Sequence, residues 1–180
     1  MNRSFLVLSD GRTFPGRTFG APAPSISEIE QRLASAKESG APPLLTTIGE
    51  VVFNTAMSGY VEVLTDPSYT GQIVAMTYPH IGNYGVSEEW FETNPDEIDA
   101  RRLVSVAGFV VRSLYEGSVP NGRRRLSEFL EEAGIPGITE VDTRALTLYL
   151  RDGGSKNALI CSTAESRGNE LSQSEHSRVV

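Results

Sequence analysis

Ser68 is the first residue whose position suggests chemistry, because it stands in the segment Asp66-Pro-Ser-Tyr-Thr-Gly-Gln72. Pro67 and Asp66 favour a turn, and a turn presents a serine hydroxyl to solvent, where it can donate and accept hydrogen bonds. The same residues also explain an ordinary turn in which Ser68 bonds only its own backbone. The local sequence leaves both interpretations open.

Nucleophilic catalysis would need a serine or cysteine beside a histidine that an acidic side chain orients. The chain has one cysteine, Cys161, and two histidines, His80 and His176. Cys161 stands among apolar residues without flanking glycines, which is typical of an inert strand residue. A hydrolase that uses Ser68 with His80 would lack both an acidic orienter and an oxyanion motif, and His80 is expected to hold the backbone as a buried loop histidine. We predict no catalytic residue and no metal site.

Composition indicates a single folded domain in the soluble globular class. Of 180 residues, 39% are hydrophobic and 22% are charged. The 16 basic and 23 acidic residues give a net charge of -7, which disfavours nucleic acid and anionic membranes as partners. Apolar runs are too short for a signal peptide or a membrane span, so a cytoplasmic location is expected.

The first 48 residues predict a hairpin followed by an inserted helix. Strands at 4–8 and 13–19 flank a tight turn at Asp10-Gly11-Arg12. The pattern of residues 21–48 predicts a surface helix between Pro-rich linkers. Ser25 or Ser27 is expected to cap this helix. Its apolar stripe has helical spacing and consists of Ile26, Ile29, Leu33 and Ala36.

The remaining chain predicts further strands, one acidic loop and two helices. Strands are expected at 50–54, 61–65, 72–78 and 158–162, with one or two more within 103–114. Residues 88–99 predict a solvated loop with Trp90 and Phe91 as its hydrophobic anchor. Helices are expected at 125–133, ending at Gly134, and at 142–151, capped by Asp142 or Thr143.

Several long motifs occur in one order along the chain. They read GEVVFNTAMSGY at 49–60, LTDPSY at 64–69, GQIV at 71–74 and TYPHIGNYG at 77–85. Together they closely resemble the N-terminal domain of the small, glutamine-hydrolysing subunit of carbamoyl phosphate synthetase. The opening hairpin and residues 138–151 resemble that family as well, whereas the helical insert departs from it.

The resemblance implies an α/β fold with the three-layer β/β/α architecture of swivelling-type domains. Mixed sheets, two C-terminal helices and one inserted helix are expected. Residues 1–162 would form this domain, with the insert at 21–48. Residues 163–180 are polar and lack periodicity, so they are expected to be a flexible tail or linker.

The resemblance also implies a role within a glutamine-dependent ligase. In that family a C-terminal amidotransferase domain releases ammonia from L-glutamine, and a large subunit converts it to carbamoyl phosphate for arginine and pyrimidine biosynthesis. The expected partners are this amidotransferase domain, the large subunit and L-glutamine. The chain itself would need no cofactor, since ATP and Mg act in the large subunit, and it would be inactive alone.

Four residues receive site roles from the resemblance. Ser68 would contact the substrate glutamine, and Ala56, Ser58 and Gly59 would border the ammonia path. Close packing is an equally good explanation for the small residues. An alternative for the whole chain is a free-standing binding or scaffold module that has lost the amidotransferase domain.

Overall fold

The computed structural model describes residues 3–39, 47–93 and 103–163. The strands are β1 Arg3–Leu8, β2 Thr13–Gly20, β3 Ile48–Asn54, β4 Ile73–Met76, β5 His80–Ile81, β6 Gly108–Val110, β7 Ser113–Leu114, β8 Pro136–Thr139 and β9 Lys156–Ser162. The helices are α1 Ile26–Ser39, α2 Tyr60–Thr65, α3 Leu126–Glu132 and α4 Thr143–Gly153, and single 3₁₀ turns span Pro67–Tyr69 and Glu88–Trp90.

Seven of these strands close into a barrel in the order β1-β2-β8-β6-β4-β3-β9. The β1–β2 hairpin is antiparallel, with Val7 opposite Thr13. β3, β4, β6 and β8 run parallel to one another, so their carboxyl ends meet at one rim of the barrel. β5 and β7 form a separate parallel pair in which His80 lies opposite Ser113.

Two large apolar clusters lie on opposite sides of the parallel strands. The interior cluster fills the barrel with alternate residues such as Ile73 and Ala75, and Leu146 and Leu150 of α4 complete it. The exterior cluster uses the other face of the same strands, including Val74 and Met76, and it is covered by α2 and α3. Parallel strands covered on both faces read as continuous apolar runs, as β4 does.

Helix α1 packs on a third, smaller cluster. Ile26 and Ile29 are buried there together with Phe5, Val7, Leu159 and Cys161. The Ser25 hydroxyl accepts the Glu28 N–H at 3.3 Å, while a Glu28 carboxylate oxygen accepts the Ser25 N–H at 2.7 Å. This reciprocal pair caps the helix. A helix within residues 21–48 is therefore confirmed, and Ser25 is the capping residue. Its status as an insertion stays a prediction, and residues 40–46 lie outside the described ranges.

Most of the predicted elements are confirmed, including the opening hairpin, β3, β4, α3, α4 and β9. The prediction at 61–65 is wrong, because these residues form helix α2. The Ser68 turn consequently joins a helix to a strand, whereas a turn between two strands was expected. Strand β8 was not predicted. The three-layer swivelling architecture stays a prediction. Within the described residues the fold has the three expected helices and one more, α2.

Two predicted loops fall partly outside the described residues. In the acidic stretch, Trp90 and Phe91 pack against the exterior cluster as the expected anchor, and residues 94–102 lie outside the described ranges. Of the predicted tail, only Thr163 is described. The boundary between 1–162 and 163–180 therefore stays a prediction.

Gly49 provides a test of how closely the Ser68 segment passes β3. A Cβ atom at Gly49 would lie 2.2 Å from the Gly71 carbonyl oxygen. We expect Gly49→Ala to lower the free energy of unfolding by about 1–3 kcal/mol through overpacking, measured by chemical denaturation. Gly153→Ala is the matched control, since its nearest atom would be Lys156 Cε at 4.0 Å. Equal denaturation midpoints for the two variants would contradict this packing.

Candidate functional site

Ser68 is exposed, in the middle of the 3₁₀ turn that follows α2. Its N–H donates to Asp66 Oδ1 at 2.8 Å, and Thr70 Oγ1 donates to the Pro67 carbonyl at 2.6 Å. Hydrogen bonds from the N–H and then from the hydroxyl of Ser68 lower the pKa of the Asp66 carboxyl. The turn is thus confirmed, and it holds the Ser68 side chain at the surface. A contact of Ser68 with a ligand stays a prediction.

Asn54 connects this turn to the loop at 55–59. Its Nδ2 donates to the Tyr69 hydroxyl at 3.1 Å, and its Oδ1 accepts the Ala56 N–H at 2.8 Å. One side chain at the carboxyl end of β3 therefore fixes the start of the loop relative to the residue after Ser68. Sequence analysis did not single out Asn54 or Tyr69, although an asparagine at the end of a strand is a known turn signal.

The 55–59 loop presents its small residues to the surface. Ala56 and Ser58 are exposed, Met57 is 76% exposed, and Gly59 is half-buried. Close packing is therefore the wrong explanation for Ala56 and Ser58 within the described part of the chain. Gly59 has φ +85°, a conformation that favours glycine, and it is the capping residue directly before helix α2.

Tyr84 holds the other end of this loop. Its hydroxyl oxygen accepts the N–H groups of Gly59 at 2.8 Å and of Tyr60 at 3.1 Å. The Tyr60 and Tyr84 rings stack with centroids 4.2 Å apart, and the Tyr60 hydroxyl donates to the Gly85 carbonyl at 2.8 Å. Burial raises the pKa of both tyrosines, so both hydroxyls stay protonated at neutral pH. Sequence analysis missed this role for Tyr84.

Glu62 lies in the first turn of α2, beside the same loop. Its Oε2 atom is removed from solvent and accepts no hydrogen bond from the described residues. A Cβ atom at Gly59 would lie 3.7 Å from it. A carboxylate oxygen in this state can accept an N–H or O–H donor that approaches the loop.

The other sequence candidates lie apart from this loop. His80 belongs to β5 and its side chain is exposed, so the expectation of a buried histidine is wrong. No hydrogen bond joins His80 to Ser68 within the described ranges. Gly82 and Gly85 have φ +99° and +75°, which confirms that backbone shape selects glycine there. Cys161 is fully buried in β9, and Asp142 caps α4 by accepting the Ala145 N–H at 2.9 Å.

A cleft of about 120 Å³ opens elsewhere, where β2, β7 and β8 meet. Its arginines already face carboxylates, since Arg17 lies 2.9 Å from Glu140 and Arg112 lies 3.7 Å from Asp142. We therefore do not assign it as the site.

Residues 3–39, 47–93 and 103–163 contain no group of three or more His, Cys, Asp or Glu side chains that could hold a metal ion. None of their helices combines the length and the apolar character needed to cross a membrane.

Comparison with known proteins points to one family. Residues 6–160 match the family described as carbamoyl-phosphate synthase small chain, CPSase domain. The carbamoyl phosphate synthase small chain of Methanococcus vannielii is 38% identical over 175 residues, covering 97% of this chain and 36% of that protein. The carbamoyl phosphate synthase small chain of Bacillus caldolyticus is 43% identical over 157 residues, covering 87% of this chain and 35% of that protein. The small chain of Methanocaldococcus jannaschii is 40% identical over 168 residues, covering 93% of this chain and 37% of that protein.

The chain thus spans little more than a third of the length of these curated relatives. Among solved structures, a peptidase M28 precursor from Shewanella amazonensis reaches a TM-score of 0.43 at 10% identity, over 93% of this chain and 36% of that one, and supports no inference. The family match covers most of the sequence, from residue 6 in β1 to residue 160 in β9. The chain belongs to the carbamoyl-phosphate synthase small chain family.

Proposed function

We propose that this chain is the part of a carbamoyl phosphate synthase small chain that presents Ser68 to glutamine and lines the start of the ammonia path with Ala56, Ser58 and Gly59. Glutamine hydrolysis itself belongs to a separate amidotransferase domain. The observation that supports this most is the Asn54 side chain, which bonds both Tyr69 and Ala56. It ties the Ser68 turn and the 55–59 loop into one surface.

The hydrogen bonds of Ser68 suit it to meet an N–H donor. Its N–H donates to Asp66 Oδ1, and its hydroxyl contributes to lowering the pKa of the Asp66 carboxyl. A hydroxyl that donates to a carboxylate keeps lone pairs with which its oxygen can accept a bond. A donor that bonds a charged group is polarised, which strengthens its oxygen as an acceptor. The amino and amide groups of glutamine are donors of this kind.

The 55–59 loop suits the passage of a small polar molecule once another surface covers it. Small side chains leave room beside the backbone, and Asn54 and Tyr84 fix both ends of the loop. An exposed loop cannot by itself keep ammonia out of bulk water. The cover is expected from the amidotransferase domain or the large subunit, and the chain spans only 35–37% of its relatives' length.

We expect the 180-residue chain alone to release no ammonia from glutamine. Its one cysteine is fully buried in β9, where it cannot reach a substrate carbonyl. A coupled ammonia assay with the purified chain should give the buffer background. Glutamine hydrolysis that disappears in Cys161→Ala would contradict the proposal.

The role of Ser68 can be tested in the full-length small chain assembled with its large subunit. We expect Ser68→Phe to raise the glutamine KM by about tenfold, the value of one lost hydrogen bond of ~1.4 kcal/mol, without changing synthesis from free ammonia. Ser118→Phe, at another exposed loop serine, is the control and should keep the wild-type KM. An unchanged KM in Ser68→Phe would remove Ser68 from the glutamine site.

Docking to the large subunit is tested by gel filtration of the two purified proteins. Co-elution of this chain with the large subunit is expected if its surface contributes to the interface. If neither the large subunit nor a separately expressed amidotransferase domain shifts its elution volume, the alternative of a free-standing scaffold module is favoured.

A further inference from the structure

We propose that Tyr84 is a positioning residue for ammonia transfer, because its hydroxyl fixes the direction in which the 55–59 loop enters α2. This inference rests on the proposed function and adds to it a residue outside the loop. It also explains why a tyrosine stands between Gly82-Asn83 and Gly85 in a motif otherwise built for backbone shape.

The hydroxyl of Tyr84 satisfies two backbone donors that the helix cannot satisfy itself. The first N–H groups of a helix have no partner within it and need acceptors from outside. Gly59 caps α2 and has no side chain that could accept any of them. From a separate loop, the Tyr84 hydroxyl accepts the N–H groups of Gly59 and Tyr60 at 2.8 and 3.1 Å.

The ring that carries this hydroxyl is held from several sides. It stacks on Tyr60 at 4.2 Å and meets the edge of Trp90 at 5.5 Å. Arg123 donates to the Tyr84 carbonyl at 2.9 Å and lies 4.4 Å from the centre of the Trp90 ring. The hydroxyl oxygen therefore has one fixed position relative to Gly59.

We expect loss of the Tyr84 hydroxyl to impair the transfer of ammonia released from glutamine, without affecting the use of ammonia added from solution. Gly59 at φ +85° has wide conformational freedom, and without an acceptor its N–H would turn toward water. The loop would then lose the shape that lets a covering surface seal against it. Ammonia released from glutamine would escape to solvent, whereas ammonia added from solution would still be consumed.

The test uses the full-length small chain assembled with the large subunit. Tyr84→Phe keeps the ring contacts and removes only the hydroxyl. We expect carbamoyl phosphate formed per glutamine hydrolysed to fall roughly five- to tenfold, with ammonia-dependent synthesis unchanged. Tyr149→Phe is the matched control. It also deletes a tyrosine hydroxyl, but this one lies in α4 and donates to Asp10 at 2.8 Å, so we expect wild-type coupling.

Wild-type coupling in Tyr84→Phe would overturn the inference, as would an equal loss of glutamine- and ammonia-dependent synthesis. If circular dichroism shows that Tyr84→Phe is unfolded, Arg123→Gln replaces it, since it loosens the Tyr84 backbone and keeps the hydroxyl. A smaller fall in coupling is then expected, and unchanged coupling overturns the inference. If the wild-type enzyme makes no carbamoyl phosphate from glutamine, the proposed function fails first and this inference fails with it.

Discussion

The burial of β4 on both faces is the constraint on which the rest of the structure depends. Its four residues, Ile73–Met76, are all excluded from water, and removing such side chains from solvent stabilises the fold by about 1.5–3 kcal/mol for each large one. The side chains of Ile73 and Ala75 pack inside the barrel. Those of Val74 and Met76 lie on its outer face, where other elements must cover them to exclude water. Helices α2 and α3 form this cover, and α2 is the helix that precedes β4 in the chain, so the chain must turn sharply between α2 and β4. The Ser68 turn is that connection.

Local signals in the sequence are enough to predict the hairpin and the last two helices. The β1–β2 turn joins strands that are neighbours in sequence, and helix α4 has Asp142 at its start and a buried stripe that includes Leu146 and Leu150. Helix α3 ends just before Gly134, which has φ +72°. These features depend on contacts within about ten residues, where turn and capping rules are informative.

Helix α2 and strand β8 could not be predicted in this way. Five of the six residues of α2 are buried, so the apolar stripe that distinguishes a helix is absent, and its valines favour a strand. Strand β8 contains Pro136 and Gly137, which usually argue against a strand. Pro136 is tolerated as the first residue, and Gly137 leaves room for the Phe19 ring, which would lie 2.5 Å from a Cβ atom there.

The candidate site was predictable only as separate pieces. The motifs identified the residues of the Ser68 turn and the loop, but the bonds between them join Asn54 to Tyr69 and Gly59 to Tyr84, which are 15 and 25 residues apart. Asn54 lies at the carboxyl end of β3 and Tyr69 precedes β4, so their contact exists only once β3 and β4 have paired in the barrel. The loop that these bonds hold is exposed yet fixed at both ends. Under the proposed function this restraint prepares the loop for a covering partner, because the ordering cost is met before binding.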